Sequence, residues 1–329
     1  MLDKFGVPKE IYNDYRYVDV GDLPTGFGPY VGLGVKKVYV RPFCVKELSL
    51  LHMGSNLGSS GISHIIRAVD MAISCDVNIL TDGDFEYMMA WLRLNSYPKA
   101  PSLVRWTCRK LNVIESEGRA FYTKPDAWSL SEREMALRGL EYEVCNASNN
   151  EIVHNVKMDI LTFDDDDLTM EYDDLDFPRV DTLVELNELI QSRPEYEHHA
   201  RMARWVKEGS TLQEKMDALD RAPDLDMYFR IQECIKRYQH GVVEKMKLRC
   251  RTCGNTVDHD SVPNPLTFFA DNSEKDILDI QYTLLAELKL QPNDDMPAKT
   301  LLYHHSCLAK DKQEEEERNR LRNAMSKGK

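Results

Sequence analysis

Three stretches of helical apolar spacing follow one another between Val45 and Leu92, and this succession constrains the fold more than any other feature of the chain. Val45, Leu48, Leu51 and His52 form the first stripe. Ile62, Ile65, Ile66, Val69 and Ile73 form a cleaner one after Gly61, and Phe85, Met88, Met89 and Leu92 a third. Residues recurring at three and four positions share one face of a helix, so each stripe predicts an amphipathic helix with that face in a core. Asp82 and Asp84 stand just ahead of the third stripe, where the positive end of the helix dipole favours carboxylates.

The segment in front of these helices is of a different kind. Leu23-Pro-Thr-Gly-Phe-Gly-Pro-Tyr30 combines prolines, which fix φ, with glycines, which supply positive φ, and predicts a rigid, turn-rich connector. Rings held on such a backbone lose little freedom on binding, which makes Phe27 and Tyr30 candidate anchors for a protein partner. The alternative is that both rings cover the first helices. Val35 to Arg41 alternates and is rich in β-branched residues, predicting a short strand that Pro42 stops.

The later chain is mostly helical by the same criteria. Leu183, Leu186, Leu189 and Ile190 form one stripe, Leu212, Met216 and Leu219 another, and Met227, Ile231, Cys234, Ile235 and Tyr238 a third that ends near Gly241. Thr182 with Glu185, and Ser210 with Gln213, have the spacing of capping boxes. Ile277, Ile280, Leu284, Leu285 and Leu288 predict a further helix with Ser273 as N-cap. Past Lys310 few apolar residues remain, so the end reads as an exposed helix or a frayed tail. The expected class is α+β, mainly helical with small β units and a degenerate zinc-knuckle hairpin. The expected segments are an N-terminal strand with helices (1–100), a β-rich part with an acidic loop (101–180), a helical insertion (181–242), the knuckle-like hairpin with a C-terminal helix (243–310), and a charged tail (311–329).

Charge and cysteine content narrow the function. A net charge of −13 counts against a nonspecific nucleic-acid surface, which needs clustered Lys and Arg. Asp164-Asp-Asp-Asp167 and Asp173-Asp-Leu-Asp176 lack the glycine and terminal glutamate of a calcium loop and read as a solvated acidic loop. No apolar run approaches the roughly 18 residues that span a bilayer, and the first residues lack a signal-peptide core, so the expected place is the cytosol. Eight cysteines in 329 residues make no dense disulfide framework; Cys44, Cys75 and Cys234 fall in apolar patterns and read as buried small hydrophobes.

Cys250-Arg-Thr-Cys253-Gly254 is the one metal-like spacing: two thiolates two residues apart, followed by glycine, make a turn whose sulfurs can converge on zinc. A closed zinc site needs four ligands. The candidates for the others are Cys145, Cys108, His154, His259, and Cys307 with His304 or His305. Tyr142-Glu-Val-Cys-Asn-Ala-Ser148 has the outline of a second knuckle with serine in place of its second cysteine, which puts Cys145 first among them. The alternative is a set of reduced cysteines left from a degenerate knuckle. Catalytic motifs are missing locally: Gly32-Leu-Gly34 lacks the third glycine of a dinucleotide loop, and His198-His199 and His304-His305 are adjacent pairs that read as solvent-facing.

Taken in order, Leu23-Pro-Thr-Gly to Tyr30, Val40-Arg-Pro-Phe43 with Glu47, Asp82-Gly-Asp84 and Leu92-Arg-Leu-Asn-Ser-Tyr97 resemble the baseplate protein family of T4-like tailed bacteriophages, with a looser match at Lys247 to Phe269. A cysteine pair tends to follow the third helix in that family; here Cys108 has no cysteine two residues away on either side. The resemblance implies a non-enzymatic component of the tail baseplate hub, or a chaperone of its assembly, that touches other hub and tail proteins. It places the chain in the host cytoplasm during assembly and, if retained, in the virion baseplate. The residues by themselves favour, as the second reading, a zinc-stabilised binding or regulatory module.

Overall fold

The computed structural model describes residues 16–56, 61–97, 102–113, 142–153, 157–162, 170–222, 225–261 and 277–327. Its strands are short: β1 Val18–Asp19, β2 Tyr39–Val40, β3 Ser102–Thr107, β4 Leu111–Val113, β5 Tyr142–Val144, β6 Ser148–Val153, β7 Lys157–Leu161, β8 Gly241–Arg249 and β9 Thr256–Ser261. The architecture is α+β, mainly helical, with small sheets. The chain divides into two compact units, neither a single stretch of sequence: unit 1 holds residues 1–100, 159–243 and 262–329, and unit 2 holds 101–158 and 244–261.

Unit 1 begins with the three predicted helices, α1 Val45–Asn56, α2 Gly61–Asp70 and α3 Asp82–Ser96. Their stripes point inward, with Leu48, Ile62, Ile65, Val69, Phe85, Met88, Met89 and Leu92 all buried. Each such side chain contributes roughly 1.5–3 kcal/mol. The strand expected over Val35 to Arg41 shrinks to β2, paired with β1. Its outer edge is spent elsewhere: Ser74 N donates to Tyr39 O (2.9 Å), Ser74 Oγ accepts from Tyr39 N (2.8 Å), and Arg41 N donates to Ala72 O (3.0 Å). The Arg41 guanidinium, 4 % exposed, forks onto Glu47 at 2.9 and 3.1 Å and donates to Met71 O at 2.9 Å. Glu47 also accepts from Cys44 N at 2.6 Å, so this buried pair fixes where α1 starts.

The first turn of α3 does several jobs in four residues. Thr81 is its N-cap and accepts from Asp84 N at 3.3 Å. Asp82 receives both arms of Arg204, at 2.5 and 2.7 Å, and Arg204 also donates to Thr182 Oγ1 (2.9 Å) and Arg179 O (2.5 Å). Gly83 lies where a Cβ would come within 2.4 Å of the His240 ring and 2.6 Å of its carbonyl. Asp84, with no exposed surface, accepts from Thr25 N (3.1 Å), Thr25 Oγ1 (2.5 Å) and the Tyr30 hydroxyl.

A helical block follows: α4 Leu183–Ser192, α5 Glu197–Ala203, α6 Leu212–Asp220 and α7 Asp226–Arg237. Leu186, Met202, Leu219, Ile231 and Tyr238 are buried together, with Phe177 against Trp205 and Tyr238. The capping boxes differ from expectation. Thr211 with Glu214, one residue on from the predicted pair, closes the box at α6. The Thr182 hydroxyl instead accepts from Arg204 and donates to Arg179 O, while Glu185 accepts from Leu212 N at 2.6 Å. Of the His198-His199 pair only His198 faces solvent; His199 is half-buried, with Nδ1 2.8 Å from the Tyr228 hydroxyl and Nε2 3.3 Å from Asp220. The acidic stretch is partly structural as well, since Asp174 pairs with Arg230 at 2.9 Å; Asp164 to Asp167 lie outside the described residues.

The unit closes with α8 Ile277–Leu288 and α9 Ala298–Lys327. Ser273, the expected N-cap, lies outside the described residues. Ala298 N donates to Phe43 O at 2.8 Å, and Leu301 and Leu302 are buried, so α9 is anchored at its start. From Ala309 to Arg320 it is exposed, a charged helix with Lys310 and Arg318 each near Glu314 at i,i+4 spacing.

Removing the Asp84 carboxylate strands the buried hydroxyl and N–H of Thr25 and takes the short bond from the Tyr30 hydroxyl, so Asp84→Ala should cost about 3 kcal/mol or more in denaturant unfolding, well above a surface change. Glu86, one turn on from Asp82, is pushed from 4.5 up to about 8 by burial, with the Asp82 carboxylate adding to the effect. Because the folded state keeps this proton longer, the contribution to stability is complete below pH 4.5 and lost as pH climbs through about 8. Glu86→Gln should therefore flatten the melting temperature across that window and raise it at the alkaline end, measured by thermal melts over a pH series.

Candidate metal centre

Unit 2 is built from paired strands with breaks in them. β3 pairs antiparallel with β6, from Ser102↔Val153 to Thr107↔Ser148, and β4 pairs with β5, from Leu111↔Val144 to Val113↔Tyr142. The ladder is broken between these two runs, where Cys108 N donates to Ala147 O and Cys145 N donates to Lys110 O, both at 2.9 Å. Cys108 follows β3 and Cys145 follows β5, so each side of the break contributes one thiol.

The other two thiols come from the turn between β8 and β9, which are paired from Glu244↔Ser261 to Arg249↔Thr256. Cys250 N donates to Asn255 O (2.7 Å) and Gly254 N to Cys250 O (2.9 Å). Gly254 sits at φ 72°, in the left-handed region where a side chain would be strained. That is why glycine follows the second cysteine.

The four sulfurs lie within 4.8 Å of one another, with Cys108 Sγ 3.6 Å from Cys253 Sγ and Cys145 Sγ 3.9 Å from Cys250 Sγ. A tetrahedron with metal–sulfur bonds of about 2.3 Å has sulfur–sulfur edges of roughly 3.8 Å. All four cysteines are free thiols. Four cysteines placed this way can bind a metal.

Electrostatics favour one thiolate and resist four. The backbone N–H groups of Cys253 and Thr252 draw Cys250 down to about 6, whereas burial pushes Cys108 up to about 12. A divalent cation supplies the charge that lets the remaining thiols ionise together.

Asn149, 4 % exposed on β6, holds the halves of the centre in place. Its Nδ2 donates to Ala147 O (2.9 Å) and towards Cys250 Sγ (3.7 Å), and its Oδ1 accepts from Arg251 N (3.1 Å). Two residues along the same face, Glu151 accepts from Arg249 N at 3.2 Å. Nothing in the sequence singles out either residue except their i,i+2 spacing beside a cysteine-bearing bend.

Of the sequence candidates, Cys250, Cys253 and Cys145 come together, and Cys108 joins them although no second cysteine stands near it in the chain. Its partner is across the strand break rather than two residues on. His259 lies on β9 outside the cluster, Cys307 and His304 belong to α9, and His154 lies outside the described residues. Tyr30, a candidate partner anchor, has no exposed surface and its hydroxyl is spent on Asp84, so it belongs to the core of unit 1. Phe27 is half-buried with φ 70°. Neither a protein-family model, nor a curated protein, nor a solved structure matches the chain.

Cys108→Ser should abolish cobalt(II) thiolate absorption as fully as Cys250→Ser, whereas Cys44→Ser should leave it intact. Equal spectra for Cys108→Ser and the parent would remove Cys108 from the ligand set. Asn149→Ala should weaken metal affinity about 10–100-fold in chelator competition, the usual cost of losing a residue that orients a ligand.

Proposed function

We propose that Cys108, Cys145, Cys250 and Cys253 hold a structural zinc ion, and that the chain is a non-enzymatic component or assembly factor of a T4-like phage tail baseplate hub, acting through protein contacts. The observation that carries the zinc reading is the convergence of four buried or half-buried thiols to within 4.8 Å of one another. The all-cysteine set supports a structural role for the ion. Four thiolates complete a tetrahedral shell and leave no open position for substrate.

The hub reading rests on the order of residues from Leu23 to Tyr97, and the fold gives that segment a surface suited to a partner. Tyr30 anchors the turn Gly28–Leu33 from below, while Val31 and Leu33 stand 70 % and 53 % exposed on it. Apolar side chains on a turn fixed by proline bind with little ordering cost. The partners are other tail and hub proteins, and the place is the host cytoplasm during assembly.

Protein purified without chelator should carry close to one zinc per chain by elemental analysis; metal-free protein that is fully folded would sink the zinc reading. Val31→Asp with Leu33→Asp should stop hub assembly in infected cells while the purified variant melts as the parent does. Mass spectrometry of particles beside the infected-cell lysate separates a retained component from a released chaperone.

A further inference from the structure

The solvent face of β8 is a ladder of cations: Lys245, Lys247 and Arg249 alternate outward, and Arg251 follows in the knuckle turn. At one end the ladder is matched across the sheet, with Lys245 opposite Asp260 and Lys247 opposite Asp258, whose carboxylate is 4.0 Å away. At the knuckle end the match stops. Arg249 faces Thr256, and Arg251 has no cross-strand neighbour. The backbone N–H groups of these two arginines are taken by Glu151 and Asn149, but among the described residues neither guanidinium has a hydrogen bond or ion pair. Beside them an open hollow of about 560 Å³ is lined by Glu151, Arg249, Cys250, Arg251 and Gly254.

We propose that this hollow is a docking site for an acidic peptide segment of a partner protein, whose carboxylates pair with Arg249 and Arg251. A guanidinium matches a carboxylate with two parallel N–H donors, and the backbone carrying these two is held by Glu151 and Asn149. Charge complementarity selects a short acidic segment rather than a nucleic-acid strand. A longer polyanion continuing along β8 would meet Asp258 and Asp260, whereas a short acidic segment can end at the arginines. The inference rests on the reading of the chain as a protein-binding component and names where one contact is made.

The test uses the full chain loaded with cobalt(II) and a fluorescein-labelled oligoglutamate peptide, followed by anisotropy, with an oligothymidylate of equal charge alongside. Arg249→Ser with Arg251→Ser should weaken the peptide by roughly tenfold or more for each guanidinium lost. Lys245→Ser with Lys247→Ser should leave it nearly unchanged. An unaltered cobalt spectrum in the arginine variant assigns the loss to the side chains, so this outcome is distinct from failure of the metal centre itself. No peptide binding, equal loss in both double variants, or tighter binding of the oligothymidylate would each overturn the proposal.

Discussion

A buried carboxylate is the fixed point of unit 1. Asp84 accepts three hydrogen bonds from Thr25 and Tyr30, and it can do so only because Thr81 caps the helix and Gly83 leaves room for His240. Asp82, in the same turn, holds Arg204 and through it Arg179 and Thr182. The connector, α3 and the helical block thus meet at one helix N-terminus, where the dipole also favours both carboxylates. Burying such groups is tolerable only when every partner is present, which makes the turn unforgiving of change.

Unit 2 solves the same problem by another route. Four thiols from a strand break and a turn converge there, and Asn149 and Glu151 tie the backbone of the Cys250 turn to β6. A metal held by four distant residues would add its binding energy to the folding energy of such a unit.

The residues behind the baseplate resemblance have structural tasks in this fold. Arg41 and Glu47 set the start of α1, Ser96 Oγ accepts from Phe43 N at 2.8 Å, and Asp82-Gly-Asp84 forms the junction just described. The motif is therefore a description of how unit 1 is held together. The surfaces proposed for partners use other residues, Val31 and Leu33 in unit 1 and the knuckle arginines in unit 2.

The helices of unit 1 were legible in the sequence because their apolar residues repeat at the helical period, and periodicity is a local property that burial then satisfies. The Cys250–Cys253 turn was legible for the same reason, since spacing and the following glycine are both local. Three outcomes were decided only by tertiary structure. Tyr30 reads either as a ring displayed on a stiff turn or as cover for the first helices, and the carboxylate that draws it inward is Asp84, far along the chain. Thr182 and Glu185 have capping spacing, yet Arg204 and Leu212 N compete for their oxygens and win. Cys108 has no local partner, and becomes part of the centre because strand pairing carries Cys145 to the same break. Sequence spacing fixes which groups are neighbours along one helix or turn; which strand faces which is set by long-range pairing, and that is where the fourth thiol came from.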